Sequence, residues 1–257
     1  MSADDVARRP GNPLRRLFLA ALLWLPAMFF VWVYWSSVFV LPATTAAQAV
    51  LESRFGGLFQ DVYRGFPRHL IAADSRLPVA PGTPTEGASV RDDHVLVLRF
   101  TQAAMTPAMR AEKRETGVEP LPTVNTLIYG YGLALIWGLV LATPLSGGRR
   151  LAQMAAGWLA IAAVQAFGAV GNALVVAMNF LGAQALVEQG LNPELVALAY
   201  QFGYLILPAV VPVILWMLMN RRFIETLTGR IGEPPPVAPV PPLPTGPHPA
   251  PGRDPET

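Results

Sequence analysis

The chain has 257 residues, 53% of them hydrophobic and 14% charged, where a soluble domain carries roughly 25% charged residues. That balance excludes a large soluble core and places the chain in a lipid bilayer. A net charge of +2, with basic residues set beside apolar runs, excludes a nucleic-acid partner, and the absence of cysteine excludes disulfides, thiolate metal sites and a cysteine nucleophile.

Four uncharged stretches are each long enough for the roughly 20 residues that cross about 30 Å of hydrocarbon. The first, 17–41, follows a basic cytoplasmic N-tail at 1–16. Pro26 lies inside it as a kink, Trp32, Tyr34 and Trp35 suit an interface with water, and Pro42 marks the exit. The triplet Ala47-Gln48-Ala49 resembles a signal cleavage site. Signal-peptide apolar regions run only about 7 to 15 residues, so an uncleaved anchor is the expectation.

Residues 42–123 then form a small α+β insert facing the periplasm. A helix over 44–64 would align Leu51, Phe55, Leu58 and Val62 on one stripe, with Gly56 and Gly57 weakening its middle. Residues 77–87 read as a loop, rich in proline and glycine. The run from His94 to Phe100 is the strong strand signal, with 88–90 as the expected pairing partner. Thr106-Pro107 supplies an N-cap and a first-turn proline, and Gly117 a C-cap, around a charged helix carrying Arg110, Lys113 and Arg114.

The second span is read at 124–145, a cytoplasmic turn at 146–150, the third span at 151–181, a periplasmic loop at 182–196 and the fourth span at 197–219. The third uncharged run extends to residue 187, about 55 Å as one helix at 1.5 Å per residue. A break near Gly168 and Gly171 would give an odd span count and carry Arg221 and Arg222 outside, so one long helix is preferred. Ala152, Ala156 and Ala160, and again Ala169, Ala173 and Ala177, form small faces suited to helix packing. The tail 220–257 is dense in proline and reads as a disordered spacer; Pro-x-x-Pro matches such as Pro236 to Pro239 follow from that composition.

Arginine placement sets the orientation. Arg8, Arg9, Arg15 and Arg16 precede the first span, Arg149 and Arg150 sit in the turn, and Arg221, Arg222 and Arg230 follow the fourth, whereas the loop from Glu188 to Glu194 has no basic residue. By the positive-inside rule both termini are cytoplasmic in a bacterial inner membrane. The fold class expected is thus an all-α membrane protein of four transmembrane helices, with the insert between spans one and two.

No catalytic, cofactor-binding or metal-binding residue emerges. The spans hold no ionisable residue at depth, which argues against a proton-coupled carrier. Asp92-Asp93-His94, even with His69, matches no metal-ligand spacing and reads as turn chemistry before a strand. No Gly-x-Ser-x-Gly, Ser-x-x-Lys or Walker pattern occurs. Gln165, Asn172, Asn179 and Gln201 are the intramembrane amides, and Asn172 and Asn179 fall on one helix face.

The entry to the second span is the distinctive local sequence: Leu121-Pro122-Thr123-Val124-Asn125, then Leu127, Tyr129, Gly130, Tyr131, Gly132 and Leu133. Asn125 suits a helix cap at the membrane surface, Tyr129 and Tyr131 interfacial anchors, and Gly130 and Gly132 close approach by a neighbour. This Asn-x-Leu-x-Tyr-x-Tyr-Gly-Leu entry, after a short outward insert, resembles the exosortase H-associated membrane proteins. The resemblance implies a bacterial accessory to an exosortase, a peptidase this chain is not, since exosortases resemble cysteine transpeptidases. The expected function is a non-catalytic accessory or scaffold for exosortase-type protein sorting, with membrane lipids and an exosortase or another membrane protein as partners. Asn125, Tyr129, Gly130, Tyr131, Gly132, Asn172 and Asn179 are the expected contact residues. The rival reading is a subunit of a small-molecule or lipid transporter with a cavity lined by Gln165, Asn172 and Asn179.

Overall fold

A computed structural model describes residues 13–65, 94–117 and 119–232. Residues 1–12 of the N-tail, the loop at 77–87, the segment 88–90, His69, Asp92, Asp93 and the proline-rich tail beyond residue 232 lie outside the described residues.

The chain is mostly helical with one small sheet. Helix α1 spans Pro13–Tyr34 and α2 spans Ser36–Arg54. The interruption falls at Trp35, whose carbonyl accepts from both Val38 and Phe39. Pro26 and Pro42 lie inside the two helices, and helix α2 runs on past Pro42 to Arg54. Ala47 and Leu51 of α2 are buried, which puts the Ala47-Gln48-Ala49 triplet on a packed helix.

The helix expected over 44–64 ends at Arg54. Beyond Gly56 and Gly57 the chain forms strand β1, Phe59–Arg64, which pairs antiparallel with β2, Val95–Phe100. On its other edge β2 pairs with β3, Thr123–Asn125, in the register Val95 to Asn125 and Leu96 to Val124. Leu96, Val97 and Leu98 are consecutively buried, as in a strand covered on both faces. Helix α3, Pro107–Thr116, has the expected caps. Thr106 Oγ1 accepts from the Met109 amide at 3.3 Å, and Gly117 adopts φ 71°. Glu119 joins α3 to the sheet by accepting from Lys113 at 3.1 Å and from Arg99 at 3.2 Å, while Arg99 also reaches Asp61 at 3.2 Å.

The stretch expected to be a second span, 124–145, divides. Val124 and Asn125 are in the sheet, Leu127–Tyr129 is a 3₁₀ turn, and only Gly132–Ala142 is α-helix, α4. Eleven residues measure about 16 Å, roughly half the hydrocarbon thickness. Two causes set these limits. Strand pairing with β2 holds residues 123–125 extended, and Pro144 forces Thr143 out of the helical region, to φ −83° and ψ 135°.

Helix α5, Gly147–Leu181, is a single 35-residue helix, unbroken at Gly168 and Gly171. It ends at Gly182, φ 89°, and a short helix α6, Ala183–Glu188, follows. Helix α7, Pro193–Gln201, runs through a π-helical turn, Phe202–Ile206, into α8, Leu207–Met219. Asn192 caps α7 through its Oδ1, which accepts from the Glu194 and Leu195 amides. A last helix, α9, Arg221–Gly232, belongs to a separate unit of the chain.

Three helical stretches are long and apolar enough to cross a membrane: Leu14–Tyr34, Gly147–Leu181 and Pro193–Met219. Their burial differs sharply, at 6%, 56% and 22% of the most apolar window, so α5 is the central helix and α1 a peripheral one. The short α4 is apolar all round, with seven of its eleven residues buried and Leu135, Trp137, Leu139 and Leu141 half-buried, as suits a helix of the core. Close approaches hold it there. Leu25 of α1 packs where Gly138 lacks a Cβ, and Ile136 packs where Gly157 of α5 lacks one, at 2.7 and 2.9 Å from the missing atoms.

The insert does not build its core alone. Leu58, Phe59, Val62, Leu96, Leu98, Phe100 and Val124 pack with Ala47 and Leu51 of α2 and with Ala169, Ala173, Ala177 and Leu181 of α5. The second alanine face is therefore consumed within the chain. Of the first, Ala152 and Ala156 are exposed and Ala160 is half-buried.

Candidate functional site

The entry segment is organised from its polar end inward. Asn125 closes β3 with an exposed side chain whose Oδ1 accepts from the Leu127 amide at 2.9 Å, so it caps the 3₁₀ turn in place of the expected α-helix. Buried Thr126 bonds twice to the His94 carbonyl, through its amide at 2.9 Å and its hydroxyl at 2.6 Å. These bonds tie the turn to the edge of β2.

Tyr129 follows, fully buried. Its ring rests on Gly168 of α5, and Tyr204 of the π-turn meets it edge-on at 6.2 Å. Tyr200 stacks on Tyr204 at 6.0 Å. Asn172 faces the Tyr129 hydroxyl from α5 without reaching hydrogen-bond geometry. Gly130 occupies a gap that no side chain fits, because the Gln165 amide stands where a Cβ would project and the Trp32 ring lies 3.3 Å from that point. Tyr131 is half-buried and packs against the cluster formed by Trp32, Leu133, Ala134, Ile136, Val140 and Ile161. At Gly132 a Cβ would meet the Pro208 carbonyl oxygen at 2.6 Å and Pro212 at 2.9 Å.

The structure thus brings Tyr129, Gly130, Gln165 and Asn172 together. It does not bring in Asn179, which is exposed near the end of α5. The close approach that Gly130 and Gly132 permit is used inside the chain, between α4, α1, α5 and α8. Both glycines are buried, and the atoms nearest to them belong to this chain. Among the described residues no three His, Cys, Asp or Glu side chains converge as a metal would require. The described carboxylates of the sheet region, Asp61 and Glu119, serve Arg99, whose guanidinium they hold protonated well above its ordinary range, the Glu119 hydrogen bond foremost.

Sequence reasoning missed a second polar assembly, at the opposite end of α4. Gln153 and Asn220 exchange two amide hydrogen bonds of 3.1 Å, and Trp216 Nε1 donates to Thr143 Oγ1 at 2.9 Å. Arg149 donates to the Met219 carbonyl at 3.0 Å, placing a cation at the C-terminus of α8 where the helix dipole favours it. The available signal was an amide at position 153, one turn past the paired arginines.

The model of one family, exosortase H-associated membrane protein, matches residues 11–223. The chain belongs to this family. The match takes in the entry segment, the insert and all the helices from α1 to α8. No curated protein and no solved structure matches the chain. Family membership and the apolar helices together make it a membrane protein.

Proposed function

We propose that this chain is a non-catalytic accessory or scaffold of an exosortase-type protein-sorting system, held in the bacterial inner membrane with both termini cytoplasmic. The observation that carries this reading is the family match across residues 11–223. A chain that works by contact needs shape and a fixed orientation, whereas a catalyst needs a positioned acid, base or nucleophile. The polar groups of the bundle support the first kind of work. Gln153, Asn220, Thr143 and Arg149 tie helix ends together, and Arg99, Asp61, Glu119 and Lys113 tie α3 to the sheet. In this reading α4, though short, is the second of four spans, shielded from lipid by α1, α5 and α8, and the sheet faces the periplasm. The partner is the exosortase, with membrane lipids around the bundle.

The test is co-purification of the full-length chain with the exosortase of the same organism, in mild detergent, alongside the sorting phenotype of a deletion strain. The accessory reading expects recovery of the pair and impaired sorting. Normal sorting in the deletion strain together with no recovery would reject it.

A further inference from the structure

The last helix, α9, forms a unit of its own and differs in kind from the spans, which carry no ionisable residue at depth. Phe223, Ile224, Leu227 and Ile231 recur in it at i, i+1, i+4 and i+8, which confines these positions to one stripe about 100° wide. Exposure follows the same division. Leu227 is buried and Phe223 and Ile224 are half-buried, while Arg221, Arg222, Glu225 and Thr226 are exposed. The apolar stripe is the sheltered side of the helix and the polar side the free one. In its sequence Arg221, Arg222 and Arg230 stand against Glu225 alone, an excess of positive charge.

Its place in the chain decides what this helix meets. α8 closes a stretch long and apolar enough to cross a membrane, and it ends at Met219. Asn220 follows with φ −120° and ψ 28°, and α9 begins at the next residue. One connecting residue reaches no further than about 3.6 Å, so α9 starts at the headgroup level of the leaflet where α8 ends. At 12 residues it is too short to cross the hydrocarbon itself. A helix with an apolar stripe, low overall hydrophobicity and surplus arginine lies in the plane of the interface, and its cations favour anionic lipid.

We propose that α9 is an interfacial helix that docks on the anionic phospholipid surface of the leaflet where α8 ends, with Phe223 and Ile224 in the acyl boundary and Arg221 and Arg222 among the headgroup phosphates. Docking of this kind requires that α8 cross the bilayer. It is independent of the exosortase and of which face is cytoplasmic.

Because the chain has no cysteine, single cysteines can be spin-labelled one at a time in the full-length protein. Phe223→Cys, Ile224→Cys, Glu225→Cys and Thr226→Cys are reconstituted in vesicles of phosphatidylglycerol and phosphatidylcholine, and in phosphatidylcholine alone. Collision of each label with oxygen, which partitions into the bilayer, is compared with collision with a water-soluble nickel chelate. With phosphatidylglycerol present, labels at 223 and 224 are expected to favour oxygen and those at 225 and 226 the chelate. Omitting the anionic lipid, or adding Arg221→Gln and Arg222→Gln, is expected to weaken that contrast, the docking equilibrium falling about fivefold for each arginine removed. Four labels equally open to the chelate would overturn the proposal. Labels at 223 and 224 shielded from both reagents would show the stripe packed on protein and overturn the lipid occupant. A contrast unchanged by anionic lipid and by the arginine variants would overturn the electrostatic part and leave a helix held by its apolar side alone.

Discussion

Gln153 and Asn220 face each other as a reciprocal amide pair, each donating to the other at 3.1 Å, with 6% and 1% exposure. One sits near the start of α5 and the other caps the end of α8, so the pair fixes two helix ends that are far apart in sequence. Removing one amide leaves the other buried without its partner, at a cost of about 1–3 kcal/mol. Gln153→Leu and Asn220→Leu are each expected to lower the melting temperature in detergent. The double variant should lose less than the sum of the two, because no orphan remains. Strictly additive losses would show that the amides act independently.

Gly130 and Gly132 are expected to matter for folding before they matter for any partner. A leucine at 132 must displace the Pro208 carbonyl and Pro212, and one at 130 must displace Gln165 and Trp32. Backbone cannot yield as a flexible side chain does, so Gly132→Leu should reduce the yield of folded protein more severely than Gly130→Ala, where the obstacle is the Gln165 amide. Fluorescence-detected size exclusion of the two variants reads this directly. Monodisperse, abundant Gly132→Leu protein would contradict the close packing of α4 against α8.

The sequence revealed those elements whose signals are local. Thr106, Pro107 and Gly117 bracket α3 as capping chemistry requires, the run from Val95 to Phe100 is a strand, and the long uncharged stretch after Arg150 is one helix as far as Leu181. Elements set by distant partners were hidden. Phe59 and Val62 continue the helical spacing of Leu51, Phe55 and Leu58, and only pairing with β2 makes 59–64 a strand. Residues 124–145 carry no charge from end to end, but β2 claims the first of them for the sheet. At the candidate site, the glycines announced close approach. Which neighbour approaches is a tertiary fact, and it proved to be Gln165, Trp32, Pro208 and Pro212. The Gln153 and Asn220 pair joins positions 67 apart, beyond any local pattern.

Arg99 joins Asp61 on β1 to Glu119 beside α3, and its side chain is 27% exposed. Solvent screening keeps each such ion pair small, at about 0–1 kcal/mol. Arg99→Met is therefore expected to leave insertion intact and to lower stability by roughly that amount for each ion pair removed. The guanidinium is held protonated far above neutrality, so Arg99 contributes no pH dependence in the working range. Increased protease sensitivity confined to 107–116 would be the accompanying sign that α3 has come loose from the sheet. A collapse of the whole fold in Arg99→Met would mean the ion pairs do more than join these two elements.

Topology is the sharpest test of the short helix. If α4 crosses the membrane within its sleeve of α1, α5 and α8, then Arg149 and Arg150 lie in the cytoplasm with the N-terminus, and Gln189 lies outside. If α4 turns back instead, only three helices cross, and the arginine turn shares a side with the sheet. The arginines at 15, 16, 149, 150, 221 and 222 favour the first arrangement, because basic residues in short loops are retained in the cytoplasm. Paired reporter fusions are expected to read cytoplasmic after Arg150 and after Arg222, and periplasmic at Gln189. A periplasmic signal after Arg150 would make α4 a re-entrant element, buried in protein as such backbone must be at membrane depth.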